Sequence, residues 1–257
     1  MKTLIIFAKA PILGAVKTRL AKCRAIGKKN ALALYTAFLR DSFRLAASTS
    51  AQLIAIHYTP DDAEGAMRAL LQELLLGAKN ERRFLFAPQK GEGFAKRIEN
   101  SFRQAGAFGG RQLVMIGADS PMIRPSSINK AFDFLKDRSG MVLGPSGEGG
   151  IYLIGLEEGA PIDFSTVFDT GSEFENMLTQ AKAGNIPLLT LPESLDVDVE
   201  ADLVNLLGQA RALAYRRRTE QDLYIPEKTI KTIEELKLSV VRRQGGTRNK
   251  KVATRRE

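Results

Sequence analysis

Short apolar runs alternate with helical patterns along most of this chain, and that alternation restricts the fold more than any other feature. The runs are Thr3–Phe7, Gln52–Tyr58, Arg83–Phe86, Gln112–Ile116 and Gly140–Leu143. Each has the length and composition of a buried strand. Helical patterns lie between them. In Asn30–Ala46, Ala31, Leu34, Phe38 and Leu45 fall on one face. Asp61–Leu75 opens on Pro60-Asp61-Asp62, and Ser126–Leu135 on Pro125-Ser126-Ser127, both helix-start signals. Gly93–Gln104 completes the set. Strands and helices alternating at this spacing predict an α/β fold with a mostly parallel central sheet and helices on both faces.

After Leu143 the pattern changes. Gly144–Gly150 is a glycine-dense turn, and Ile151–Leu156 reads as another buried strand. A loop with Phe164, Phe168 and Phe174, a helix over Glu173–Ala183 and a strand near Pro187–Leu191 follow. Asp196-Val197-Asp198 then precedes a helix over Glu200–Tyr215. From there composition shifts. Residues 213–257 hold 13 Lys/Arg against 6 Asp/Glu, so they carry most of the chain's net charge of +9. Pro226–Val241 reads as a short amphipathic helix, and Gln244–Arg256 lacks apolar periodicity and reads as disordered. The predicted organisation is therefore one domain over 1–212 and a basic extension over 213–257. The basicity belongs to the tail, so it does not define the core's substrate. Weak contact with RNA or acidic surfaces is the interaction such a tail suits.

With one cysteine, Cys23, there is no intramolecular disulfide and no zinc-finger spacing. No apolar run approaches the ~20 residues of a membrane span, and the opening one is too short for a signal peptide. A cytoplasmic location is the expectation.

The chemistry concentrates in four places. The first strand runs into a Pro- and Gly-punctuated loop bearing Lys9, Lys17 and Arg19. Loops at the carboxyl ends of strands line the ligand crevice of open α/β sheets, and three cations there suit a phosphate-bearing ligand. Asp119, in Gly117-Ala118-Asp119-Ser120-Pro121, directly follows a strand; a hard cation such as Mg²⁺ needs one or two carboxylates plus phosphate oxygens. An Asx-turn or a helix cap is the structural alternative. Asp196 and Asp198 alternate in an extended segment, so both carboxylates can face one site. In the glycine turn, Gly147, Gly149 and Gly150 suggest close backbone approach to a ligand, with Glu148 as acceptor-site base or sugar-hydroxyl acceptor. A plain tight turn explains them equally. His57, the single histidine, lies within a strand and reads as structural.

Known nucleotide motifs are excluded. Gly14-Ala15-Val16-Lys17-Thr18 lacks the first glycine and the spacing of a Walker A loop, and Gly144–Gly150 leads into a strand, unlike a dinucleotide fingerprint.

Four segments occur in an order that resembles a known family: F-A-K-A-P-x-x-G-x-V-K-T-R-L, G-A-D-S-P, G-P-x-x-x-G-G-x-Y-L-I-G-L and D-V-D. The resemblance, over roughly 2–210, is to bacterial GT-A-fold transferases described as radical-SAM/selenodomain-associated or arsenosugar-biosynthesis-type glycosyltransferases. These are related to nucleotide-diphospho-sugar transferases and phospholactate guanylyltransferase. It implies a Rossmann-like GT-A fold, a nucleotide-sugar donor, a small-molecule acceptor and a divalent metal, Mg²⁺ or Mn²⁺. Carried over by position, Ala8, Lys9, Lys17, Arg19, Gly149 and Gly150 bind nucleotide or substrate. Asp119 and Asp198 hold the metal, and Glu148 is the candidate catalytic residue. The chain departs from the family pattern where Glu148-Gly149-Gly150-Ile151 stands for D-G-G-Y and Phe168 for a tryptophan. The alternatives are a nucleotidyltransferase using an NTP and a phosphorylated acceptor, or a non-catalytic nucleotide-binding relative.

Overall fold

The structure is a computed structural model that describes residues 1–137, 139–169, 171–220, 223–242 and 250–254. Its backbone forms two compact units. The first comprises Met1–Ala10, Ser42–Ala118 and Ile123–Ser194; the second comprises Pro11–Asp41, Asp119–Met122 and Leu195–Glu257.

A seven-stranded sheet makes the first unit. Its strands are β1 (Lys2–Lys9), β2 (Leu53–Thr59), β3 (Phe84–Pro88), β4 (Gln112–Gly117), β5 (Met141–Pro145), β6 (Ile151–Glu157) and β7 (Leu188–Thr190), in spatial order β3-β2-β1-β4-β6-β5-β7. β1 pairs in parallel with β2 and β4, β2 with β3, and β5 with β7. β6 alone runs antiparallel, to both β4 and β5. The short glycine turn explains that reversal, because a parallel return needs a crossover of a dozen or more residues. All other strands end on one edge.

Helices cover both faces, which is why the strands read as continuous apolar runs. On one face α4 (Gly93–Ala107) and α6 (Glu173–Ala183) bury Ile98, Phe102, Met177 and Ala181 against Ile5, Met115, Leu143 and Ile154. On the other, α5 (Pro125–Asp137) brings Leu135 so close to Gly155 that an added Cβ would lie 3.4 Å from it. Smaller helices α2 (Glu64–Gln72) and α3 (Ala78–Glu81) fall between β2 and β3 in the chain.

The second unit takes in the loop after β1, most of α1 (Gly27–Ala47), and α7 (Glu200–Arg216), α8 (Glu227–Glu235), β8 (Leu238–Arg242) and β9 (Lys250–Thr254). Leu20, Leu34, Phe38, Val197, Leu203, Leu207, Ile233, Leu238 and Val252 share one apolar cluster. Residue 212, where composition shifts, lies inside α7, and Ile233, Leu238 and Val252 of the basic extension contribute to a core. Residues 250–254, expected to be disordered, pair as β9 with β8, and the end of the expected helix Pro226–Val241 is β8 itself. Charge masked the pattern: Val252 is 3% exposed although Lys250 and Lys251 beside it are exposed. The remainder of the expected disordered stretch, 243–249 and 255–257, lies outside the described residues.

Among the described residues, no helix is long and apolar enough to cross a membrane.

Candidate active site

The loop after β1 folds on local bonds. Gly14 takes φ +81°, Ala15 N–H donates to the Ile12 carbonyl at 3.0 Å, and Val16 is buried. Lys17 then adopts a left-handed backbone, φ 47°. For a residue with a Cβ this is an uncommon conformation that surrounding contacts must enforce.

Those contacts are ionic. The Lys17 ammonium lies 2.7 Å from Asp119 Oδ1 and 2.8 Å from Asp198 Oδ1. Its side chain is 3% exposed, whereas the two carboxylates are 41% and 39% exposed. A buried cation thus supports two carboxylates that still face solvent. Burial alone lowers the Lys17 pKa, but Asp119 and Asp198 outweigh it and the net shift is upward. Lys17 is held charged. Arg19 reaches Asp198 Oδ2 at 3.4 Å from a mostly exposed position.

The backbone fixes the carboxylates in turn. Val197, fully buried, donates its N–H to the Asp119 carbonyl at 3.1 Å, tying the Asp196–Asp198 segment to the turn after β4. The Asp202 carboxylate accepts the N–H groups of Asp198 and Val199, both at 2.9 Å, at the start of α7. Extended alternation around Val197 brings Asp196 into the same electrostatic field as Asp119 and Asp198. Asp196 Oδ1 is buried with no hydrogen-bond partner. Desolvation, followed by the nearby Asp119 charge, raises its pKa to about 6.

Lys17, Arg19, Asp119 and Asp198, singled out in the sequence, therefore come together, and Asp196 joins them. Its position in the D-x-D repeat was the available signal. The Lys17 ammonium engages both of these carboxylates. The set suits a hard divalent cation. Carboxylate oxygen is the preferred donor, Asp119 and Asp198 are accessible, and the orphaned Asp196 oxygen lies in a field that an added positive charge would relieve. Among the described residues, no group of three His, Cys, Asp or Glu forms a ready-made cage. A cation held here needs oxygens from a substrate as well.

The remaining candidates belong to the first unit. Ala8, in β1, is buried, and its carbonyl accepts a hydrogen bond from Gln89 Nε2 at 2.9 Å. The same amide donates to the His57 carbonyl at 2.9 Å, so Gln89 clamps the ends of β1 and β2. Nothing in the sequence pattern marked Gln89. Lys9 is the exposed last residue of β1. Glu148 is exposed in a left-handed conformation, φ 58°. The two glycines after it are explained by the chain's own packing. A Cβ on Gly149, at φ +78°, would lie 2.5 Å from Ser172 Oγ, and one on Gly150 2.7 Å from Ser146 Oγ. Ser172 caps α6 and donates to the Gly149 carbonyl at 2.8 Å, fixing the turn that presents Glu148.

His57 is structural in its surroundings. It is fully buried, its Nδ1 lies 2.9 Å from Ser101 Oγ, and desolvation lowers its pKa to about 4. The Ser101 hydroxyl donates to the Arg97 carbonyl at 2.8 Å, which leaves Nδ1 as the donor toward Ser101.

No curated protein matches the chain. Among solved structures, a proposed nucleotide-diphospho-sugar transferase from Desulfovibrio desulfuricans G20 is similar at 26% identity and a TM-score of 0.73, covering 92% of this chain and 97% of that one. Two others share the fold alone. A nucleotidyl transferase from Methanothermobacter thermautotrophicus is 11% identical, with a TM-score of 0.52 and 81% and 97% of the two chains covered. A cytidylyltransferase from Leptospira borgpetersenii is 10% identical, with a TM-score of 0.50 and 91% and 94% covered. The fold is thus that of the nucleotide-diphospho-sugar transferase-like proteins. Residues 43–170, just under half of the chain and containing β2 to β6, match the DUF2064 family model, described as an uncharacterized protein conserved in bacteria.

Proposed function

We propose that this protein is a divalent-metal-dependent transferase that takes a nucleotide sugar as donor and a small molecule as acceptor. The observation that carries the reading is the pair Asp119 and Asp198, half-exposed and bridged by a buried, charged Lys17. The ammonium bonded to both offsets the repulsion between them before any ligand arrives. Asp119 and Asp198 would hold a Mg²⁺ or Mn²⁺ ion, with Asp196 adding charge behind them. The ion's chemistry is to stabilise the negative charge that grows on a departing diphosphate. Arg19 would bind the same diphosphate, and the family resemblance makes Lys9 a further candidate for nucleotide phosphate. Glu148, presented by the glycine turn, would orient the acceptor hydroxyl and accept its proton. The name borne by the Desulfovibrio relative supports the sugar-nucleotide reading.

Nucleotidyl transfer from an NTP to a phosphorylated acceptor needs the same carboxylates and is the second reading. The loop Ala8-Lys9-Ala10-Pro11 lacks the glycine pair usual in nucleotidyltransferases of this kind, which favours sugar transfer. A non-catalytic nucleotide-binding protein is the third. The charge of the C-terminal extension supports weak, salt-dependent contact with polyanions as an accessory property.

Thermal-shift measurements with UDP-, GDP-, ADP- and CDP-sugars against the four NTPs, each with and without Mg²⁺ or Mn²⁺, separate these readings. A metal-dependent rise in Tm with one sugar nucleotide is the expected result. A rise with NTP and metal alone selects nucleotidyl transfer. A shift with a nucleotide that is then left unconsumed in a product assay with candidate acceptors selects the third reading, and no shift with any nucleotide removes all three.

A further inference from the structure

The segment bearing Asp196 and Asp198 has no regular secondary structure of its own. Irregular segments open easily unless something ties them down. One tie is Glu200, the first residue of α7, two residues beyond Asp198. Glu200 Oε1 accepts the Val252 N–H at 2.9 Å and the Cys23 thiol at 3.3 Å. One carboxylate oxygen therefore joins the start of α7, the segment after Arg19, and β9.

The hairpin that supplies Val252 is itself firmly docked. Val252 and Leu238 lie in the apolar cluster that buries Val197 and Leu20, so the residue between the two aspartates and the residue after Arg19 share a core with β8 and β9. Arg211 Nη2, on α7, donates to the Leu238 carbonyl at 3.2 Å. Upstream, the Asp41 carboxylate receives the N–H groups of Lys228 and Thr229 at 3.0 and 2.7 Å, and the Tyr224 hydroxyl donates to the Asp41 carbonyl at 3.0 Å.

We propose that the C-terminal hairpin β8–β9 is a latch that holds the Asp196–Asp198 segment in its ligand-ready position, with Glu200 as the positioning residue. The functional consequence rests on the transferase reading, whereas the mechanical linkage does not. Glu200 touches no substrate in this scheme. It acts by fixing the α7 terminus from which the carboxylates extend, which is the kind of support a preorganised site requires. The extension is thus an integral part of the candidate site.

Amide hydrogen exchange on the full-length chain tests the latch without any ligand. The Val197 N–H, bonded to the Asp119 carbonyl, is the reporter. Glu200→Leu removes the acceptor. It is expected to speed exchange at Val197 about tenfold or more, as loss of a hydrogen bond to a charged group implies, while β1 and β4 keep their protection. Cys23, released from Glu200, is expected to react faster with a disulfide reagent. Glu200→Gln, which keeps an acceptor oxygen, is expected to restore both. Val252→Pro removes the donor instead and is expected to repeat the Leu result. Val197 protection unchanged in Glu200→Leu overturns the proposal. So does loss of protection across β1 and β4 in both Glu200→Leu and Val252→Pro, because Glu200 is then a general stability residue. If the unaltered chain binds no nucleotide, the transferase reading fails and the exchange result still decides the latch.

Discussion

Lys17 sets the electrostatics of the candidate site. It is the one member of the Lys17–Asp119–Asp198 group whose side chain is almost wholly buried. Replacing it by methionine keeps much of the volume and leaves two carboxylates facing each other. Because both are about two-fifths exposed, water screens part of the repulsion, and the expected loss is about 1–3 kcal/mol, below the cost of orphaning a fully buried charge. Urea unfolding of Lys17→Met measures it, and an unchanged midpoint would mean that the carboxylates do not need the ammonium. Asp119→Ala acts on the ligand instead: it is expected to abolish the metal-dependent part of any nucleotide-induced Tm shift. Asp196 gives a pH signature. Its folded pKa of about 6 lies above the ordinary carboxylate value of 3.8, so the folded protein holds this proton more tightly. As pH rises through that window the unfolded chain ionises first, and stability falls until the folded group ionises near 6. Asp196→Asn is therefore expected to raise Tm near pH 8 and to leave it unchanged near pH 4. Equal effects at both values would count against a raised carboxyl.

At the scale of elements, two junctions determine how loops are presented. Asp41, 2% exposed in α1, caps the N-terminus of α8 with both carboxylate oxygens. Asp41→Ala leaves two amides without acceptors and is expected to cost about 1–3 kcal/mol, with Asp41→Asn costing less. Because α8 leads directly into β8, amides of β8 and β9 should lose protection with it. In the glycine turn, Gly149→Ala meets both a left-handed φ of +78° and a Cβ position 2.5 Å from Ser172 Oγ. An expected loss of about 1–3 kcal/mol follows, and the cap of α6 must shift. Double substitution with Ser172→Gly, which clears the space, should recover part of that loss; no recovery would mean that φ strain alone is responsible.

For the whole molecule, charge and burial combine on acidification. The chain carries +9 at pH 7, so protonation only adds to its self-repulsion. His57, enclosed in the sheet's interior, adds a specific term. Its folded pKa of about 4 lies below the ordinary imidazole value of 6.5, so its contribution is complete above 6.5 and is lost as pH falls toward 4. Acid unfolding followed by circular dichroism should show His57→Gln less sensitive than the parent chain across that window, whatever its absolute stability. Identical slopes would remove His57 as a source of acid lability.

The sequence by itself determined the sheet. Strands buried on both faces must be almost continuously apolar, so β1 to β6 were legible as runs, and the longer helices by period and by their opening residues. It also marked Lys17, Arg19, Asp119 and Asp198, because Gly and Pro punctuation shows where the chain leaves a strand. Tertiary structure alone decided which partners these groups have. The ammonium of Lys17 meets Asp198 at a sequence separation of 181, a distance no local pattern encodes. The hairpin was hidden for a related reason: its buried side of Leu238 and Val252 is too short for periodicity to stand out against flanking lysines and arginines. Gly149 carries the same lesson, since only folding shows that the atom closest to it is the Ser172 hydroxyl. Local chemistry wrote the elements, and long-range packing assigned the opening loop's cations to the carboxylates they hold.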